Sequence, residues 1–173
     1  GGSDAFVVMP SADVRKSAET AVKARMINNG QSCIAAKRFI VHEDVYEEWL
    51  ETFVGEMGKL AMGDPMEPGV DVGPLATKNG QIEIAGLVED AKSKGARVLL
   101  GGETPEGPGF FYPPTVIDGI TPDMRLMMEE AFGPVASVYM VSNAEEAIRV
   151  ANNTTFGLSS AVWSNVPAEQ DLF

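Results

Sequence analysis

Asn28-Asn29-Gly30-Gln31-Ser32-Cys33 is the stretch on which the reading of this chain turns. It holds the only cysteine among 173 residues, on a glycine turn between a run of helical periodicity and a strand-like run, Phe39 to Val41. A thiol placed where an element ends is open to substrate in a way that a thiol in mid-helix is not. Thiolate is also the side-chain nucleophile that needs least activation near neutral pH. A lone cysteine is more commonly a small buried hydrophobe, so its weight here depends on what surrounds it.

Upstream, Ala5-Phe6-Val7-Val8-Met9 is a short apolar run closed by Pro10, which fits a strand buried on both faces. Ser11 or Asp13 then caps a helix in which Val14, Ala18, Ala21, Val22 and Arg25 recur at three- and four-residue spacing as one narrow stripe, and this helix delivers the cysteine turn. Downstream, His42-Glu43-Asp44 caps a second helix with Val45, Trp49, Phe53, Met57 and Leu60 on one face. Gly63 to Thr77 is too rich in glycine and proline for a regular element and reads as a loop. A third helix over Asn79 to Lys94 is expected to turn Ile82, Ala85, Val88 and Ala91 inward and to stop at Gly95.

Arg97 to Leu100 reads as a strand. Phe110 to Ile117 reads as an extended segment that Pro113 and Pro114 restrict to a sheet edge. Met124 to Glu130 gives one or two helical turns, Val135 to Val141 a strand, Asn143 the cap of a further helix, and Ser159 to Trp163 a last strand. Strand and helix alternate throughout, so the fold class is α/β: an open, mostly parallel twisted sheet flanked by helices.

With 45% hydrophobic and 22% charged residues the chain can bury a core, and its length fits one domain. The net charge of −12 argues against nucleic acid and against an anionic membrane surface as partners. A single cysteine excludes an internal disulfide. With no signal-peptide pattern and no run of 18 apolar residues, a cytoplasmic location is expected. One His and one Cys offer no metal site at zinc spacing, and no Gly-x-Gly-x-x-Gly follows a strand. His42 as the base of a cysteine hydrolase is disfavoured, because its position reads as a surface residue at a strand end.

Asn-x-Gly-Gln-x-Cys followed by Ala36-Lys37-Arg38-Phe39-Ile40-Val41 resembles the nucleophile segment of the aldehyde dehydrogenase superfamily. Six further stretches match the same family in the same order: Gly1-Gly2-Ser3-Asp4, Gly63-Asp64-Pro65, Val72-Gly73-Pro74-Leu75, Tyr112-Pro113-Pro114-Thr115, Glu129-Glu130-Ala131-Phe132-Gly133-Pro134, and Ala151-Asn152 with Phe156-Gly157-Leu158. The likeness covers essentially the whole chain. It implies one catalytic domain over residues 1–173, a fragment without the dinucleotide-binding domain that precedes it and the oligomerisation segment that follows it in family members. The family's general base, a glutamate, would stand just before Gly1. The parent enzyme would be a homo-oligomer.

The resemblance implies oxidation of an aldehyde to a carboxylic acid through a thiohemiacetal and a thioester on Cys33, with NAD or NADP as cofactor. An aldehyde carbonyl must first add a nucleophile before it can expel hydride. The site therefore needs a thiolate, oxyanion donors, a hydride acceptor and a base for hydrolysis. The Cys33 backbone amide would be one oxyanion donor. Glu130 would accept from the nicotinamide ribose and Phe132 would pack near the nicotinamide ring, whereas Glu129 has no such role. Asn28 is assigned to holding backbone at the helix end.

Asn28 to Arg38, with Gly1 to Asp4, looks closest to the branch that oxidises succinate semialdehyde. Many members of that branch place an arginine six residues before the nucleophile to pair with the substrate carboxylate. Ile27 stands there instead and suits an apolar substrate tunnel. Arg25 lies at a different helical angle and does not replace it. Ala35 excludes the second cysteine that some members use as a redox switch. The alternatives are a non-enzymatic remnant or binding module, and a relative that passes the acyl group to coenzyme A. As an isolated piece the chain is expected to show little or no dehydrogenase turnover.

Overall fold

The computed structural model describes residues 1–173. Six strands form one sheet: β1 (Ala5–Val8), β2 (Arg38–His42), β3 (Arg97–Leu100), β4 (Thr115–Asp118), β5 (Val135–Val141) and β6 (Ser160–Trp163). Their order across the sheet is β3-β4-β5-β2-β1-β6, with every pair parallel except β3 and β4. The expected α/β sheet is present. The helices are α1 (Val14–Met26), α2 (Glu43–Gly58), α3 (Lys78–Ser93), the single turn α4 (Arg125–Met128), α5 (Ala144–Asn152) and the short α6 (Pro167–Gln170). None is long and apolar enough to cross a membrane.

Strand periodicity sorts the core into two layers. Phe6 and Val8 of β1 with Phe39 and Val41 of β2 face α1 and α2, while Ala5, Val7 and Ile40 face the opposite side with Ala147 of α5 and Met127 of α4. On the first side Trp49 stacks on Phe53 with ring centroids 4.7 Å apart, and Phe39 packs against both. On the second side α3 buries Ile84, Leu87, Val88 and Ala91 against Ile117 and Val135.

Three expectations are corrected. Ile82 is 57% exposed, because the buried stripe of α3 runs through Gln81, Ile84, Leu87, Val88 and Ala91, and residue 82 projects from the opposite face of the helix. The segment carrying Pro113 and Pro114 is not confined to an edge. The prolines lie ahead of Thr115, so β4 keeps all its amides and runs between β3 and β5, and β3 is the edge strand. His42 is buried rather than on the surface: it is the N-cap of α2, where Nδ1 accepts from the Asp44 amide at 3.2 Å.

Candidate functional site

Parallel strands all enter the sheet from the same end. Gly2 lies just ahead of β1, Cys33 ahead of β2, Glu130 ahead of β5 and Leu158 ahead of β6, so topology brings four distant stretches to one edge. This is the amino-terminal end of the strands, the opposite of the usual ligand position in open α/β sheets.

The turn that presents Cys33 is built from left-handed backbone. Asn28 (φ 51°) and Asn29 (φ 56°) are the two non-glycine residues with positive φ, and Gly30 follows at φ 76°. Asparagine is among the few side chains that tolerate this region. Asn28 Nδ2 donates to the Gln31 carbonyl at 3.1 Å, which is the structural role expected of it. Gly30 is required for a second reason: a Cβ there would stand 2.2 Å from the carbonyl oxygen of Gly133. The cysteine turn and the Glu130 to Pro134 segment are thus in van der Waals contact through backbone.

The loop after α2 braces the same turn. The Ala76 amide donates to Gln31 Oε1 at 2.8 Å, and Asn29 Nδ2 reaches the Pro74 carbonyl at 3.5 Å. The loop Gly63 to Thr77 thus steadies the cysteine segment directly.

Two buried cations hold the turn from beneath. Arg25 is fully buried, and its guanidinium donates to the carbonyls of Gly30 (2.8 Å) and Val135 (3.2 Å), tying the turn to β5. Burial pushes its pKa down to about 9, opposed by the charge of Glu130, so it stays protonated at neutral pH. Lys37 is also buried, and Nζ donates to the carbonyls of Ser32 (2.9 Å), Cys33 (2.9 Å) and Ala35 (3.0 Å), with Glu130 Oε1 3.5 Å away. Burial, then the nearby Arg25 charge, hold the Lys37 ammonium below the ordinary lysine range, while Glu130 acts the other way. The spacing of α1 puts Arg25 on the inward stripe, and Lys37 stands in the motif that follows Cys33, but the sequence carries no sign that both bind the carbonyls of the cysteine turn.

Cys33 itself is exposed. The amides of Ser32, Cys33 and Ile34 donate to no acceptor in the chain, so three adjacent donors are free to bind an anion. Glu130 Oε1 accepts from the Gly2 amide at 2.9 Å, while Oε2 has no donor and remains available. Ile27 and Phe132 are each 44% exposed, and Ile34 is 62% exposed, so the surface on this side carries apolar area. Glu129 pairs with Arg125 at 2.7 Å on the surface and takes no part.

The last two motif stretches lock this edge. Arg38 is buried and donates to the carbonyls of Ser3 (2.9 Å), Val150 (2.8 Å) and Ala151 (2.8 Å), and Asp4 accepts from the Ser159 hydroxyl at 2.7 Å. A cleft of about 600 Å³ lies beside this lock between α5 and β6, and neither Cys33 nor Glu130 lines it. Cys33 stands on open surface.

The family model described as the aldehyde dehydrogenase family matches residues 1–171. The chain belongs to that family. It is 57% identical over all 173 residues to a succinate-semialdehyde dehydrogenase [NADP(+)] of Mycobacterium avium (strain 104), and 55% identical to one of Mycobacterium tuberculosis (strain ATCC 25618 / H37Rv). It covers 37% and 38% of those proteins, little more than a third of their length. Among solved aldehyde dehydrogenase folds, lactaldehyde dehydrogenase from Escherichia coli superposes with a TM-score of 0.96 at 33% identity, over 99% of this chain and 36% of that one. The succinate-semialdehyde dehydrogenase from Burkholderia pseudomallei gives 0.94 at 35% identity, over 98% and 35%. The structure of 3,6-anhydro-L-galactose dehydrogenase in complex with NAP gives 0.95 at 36% identity, over 99% and 37%.

Proposed function

We propose that this chain carries the nucleophile-bearing part of an NAD(P)-dependent aldehyde dehydrogenase, with succinate semialdehyde as the favoured substrate. The observation that supports it most is the meeting, at one sheet edge, of an exposed cysteine, three free backbone amides beside it, and the carboxylate of Glu130. The sequence identity to enzymes named for succinate semialdehyde and NADP(+) supports the substrate and cofactor classes.

In this reading Cys33 Sγ adds as thiolate to the aldehyde carbonyl and forms a C–S bond. The carbonyl oxygen becomes an oxyanion, which the Cys33 and Ile34 amides are free to receive. Loss of hydride from that carbon leaves a thioester on Cys33, and water then releases the carboxylic acid and regenerates the thiol. NAD or NADP, when bound, supplies the hydride acceptor. The residues here fit such a group: Glu130 Oε2 has no donor in the chain and can accept from a ribose hydroxyl, and half-exposed Phe132 can flank the nicotinamide ring. Ile27 contributes apolar surface to the substrate's path. No exposed cation of this chain stands on the cysteine turn, because Arg25 and Lys37 are both buried by carbonyls, so the reading assigns recognition of a substrate carboxylate to no residue here.

The test is alkylation of Cys33 by iodoacetamide with a panel of aldehydes present. Protection by the aldehydes, succinate semialdehyde included, is expected. Alkylation as fast with every aldehyde of the panel as with none overturns the reading.

A further inference from the structure

We propose that Lys37 is the positioning residue that aims the oxyanion-binding amides of this site. The inference rests on the reading of Cys33 given above and adds a residue to it.

An ammonium group has three donors, and those of Lys37 are used up by the carbonyls of Ser32, Cys33 and Ala35 at 2.9, 2.9 and 3.0 Å. In a planar trans peptide the N–H points opposite to the C=O that precedes it. The Ser32 carbonyl turned toward Lys37 therefore sends the Cys33 amide away from it, and the Cys33 carbonyl does the same to the Ile34 amide. These are two of the amides left without an acceptor in the chain. The Ala35 carbonyl sends the Ala36 amide outward by the same rule, and that one is used structurally, donating to the Ala24 carbonyl at 3.1 Å. One buried cation thus sets the direction of three peptide planes around the cysteine.

The position of Lys37 is itself determined from both sides. Glu130 Oε1 lies 3.5 Å from Nζ and supplies the countercharge, and the same oxygen accepts from Gly2 at 2.9 Å. The carboxylate assigned to the ribose and the turn assigned to the aldehyde therefore share one cation. No neutral side chain could serve three carbonyls at once, and a guanidinium, planar and larger, could not bring three donors to one point.

The experiment compares the 173-residue wild-type chain with K37A. Cys33 is treated with iodoacetamide in the presence of increasing succinate semialdehyde or propanal, and incorporation is read by mass spectrometry. The half-protecting aldehyde concentration is expected to rise at least tenfold in K37A. Propylammonium, which replaces the deleted atoms and the charge, is expected to restore protection, whereas 1-propanol, of similar size and neutral, is not. Protection of K37A at wild-type concentrations, or equal rescue by 1-propanol, overturns the inference and leaves the reading of Cys33 standing. Absence of protection in wild type overturns that reading, and the inference falls with it. Should K37A lack the wild-type circular dichroism spectrum, the wild-type chain labelled with ¹⁵N-lysine decides: the Lys37 ammonium resonance is expected to shift as aldehyde adds to Cys33, and an unmoved resonance overturns the inference.

Discussion

A Cβ placed on Gly2 would stand 2.2 Å from the carbonyl oxygen of Cys33, although the two residues belong to different strand entries. That carbonyl also accepts from Lys37, so it cannot retreat without losing a buried hydrogen bond. Leu158 Cδ1 closes the other side at 2.8 Å from the same point. Gly2→Ala is therefore expected to destabilise the chain by about 1–3 kcal/mol, the usual cost of overpacking a filled site. It should also change the rate of Cys33 alkylation. Urea unfolding followed by circular dichroism, with the alkylation rate measured alongside, checks both.

Arg25 tests how the cysteine turn is anchored to β5. Its two hydrogen bonds, to Gly30 and Val135, come from different nitrogens of one rigid fork. Arg25→Lys keeps the charge and loses the fork, so one buried carbonyl is left without its donor. A loss of about 1–3 kcal/mol is expected from that unsatisfied group. A urea midpoint equal to wild type would show that the turn is held elsewhere.

How much of this was legible in the sequence follows from what each signal depends on. The β1, α1, β2, α2 sequence is carried by local periodicity, and Phe6, Phe39, Trp49 and Phe53 fall in the core as their spacing predicts. The α3 stripe follows Ile84, Leu87, Val88 and Ala91 at i, i+3, i+4 and i+7, and the expectation that starts from Ile82 misses it because it leaves out Leu87. His42 takes the capping place that its sequence position suggests, but its burial is not legible there, since it depends on the direction in which α2 leaves β2. The meeting of Cys33 with Glu130 follows from the order of parallel strands, which local patterns do not contain. Arg25 falls on the inward stripe of α1 by its spacing, but it and Lys37 bind backbone carbonyls, and a cation that does so leaves no partner in the sequence.

The α5 helix carries a pH-dependent contribution. Glu146 Oε2 accepts from the Ser142 amide and hydroxyl at 2.9 Å each, and these bonds, the backbone one first, hold its carboxyl below the usual carboxylate range. The folded state thus binds the proton less tightly than the unfolded chain. The stabilisation is present above the unfolded value of about 4.3 and is lost as pH falls through the lower folded value. Between pH 6 and pH 3 the urea midpoint of wild type is expected to fall further than that of Glu146→Gln, which cannot ionise. Parallel midpoints in the two proteins would contradict this.

Cys33→Ala separates chemistry from stability. The side chain is exposed and makes no hydrogen bond, so its removal is expected to move stability by less than about 0.5 kcal/mol. Iodoacetamide incorporation should disappear entirely, because no other cysteine exists. A large drop in stability would place the thiol in a packing role and weaken its reading as a nucleophile.

The left-handed pair behind it is a different matter. Asn28 and Asn29 hold φ values of 51° and 56°, and an alanine in this region costs roughly 1–2 kcal/mol where asparagine costs less. Asn28→Ala meets that cost and also loses the bond from Nδ2 to the Gln31 carbonyl, whereas Asn28→Gly loses the bond but relieves the backbone. Alanine is therefore expected to be the more destabilising of the two by about 1 kcal/mol, read from paired urea curves. The two variants should also divide on Cys33. The glycine variant frees a turn that the wild type holds rigid, so amide exchange at residues 32–34 and the alkylation rate should both change while global stability barely moves. Such a split would mean that the backbone strain serves to fix the direction of the cysteine turn. Equal behaviour of the two variants would mean that the asparagines are tolerated there and nothing more.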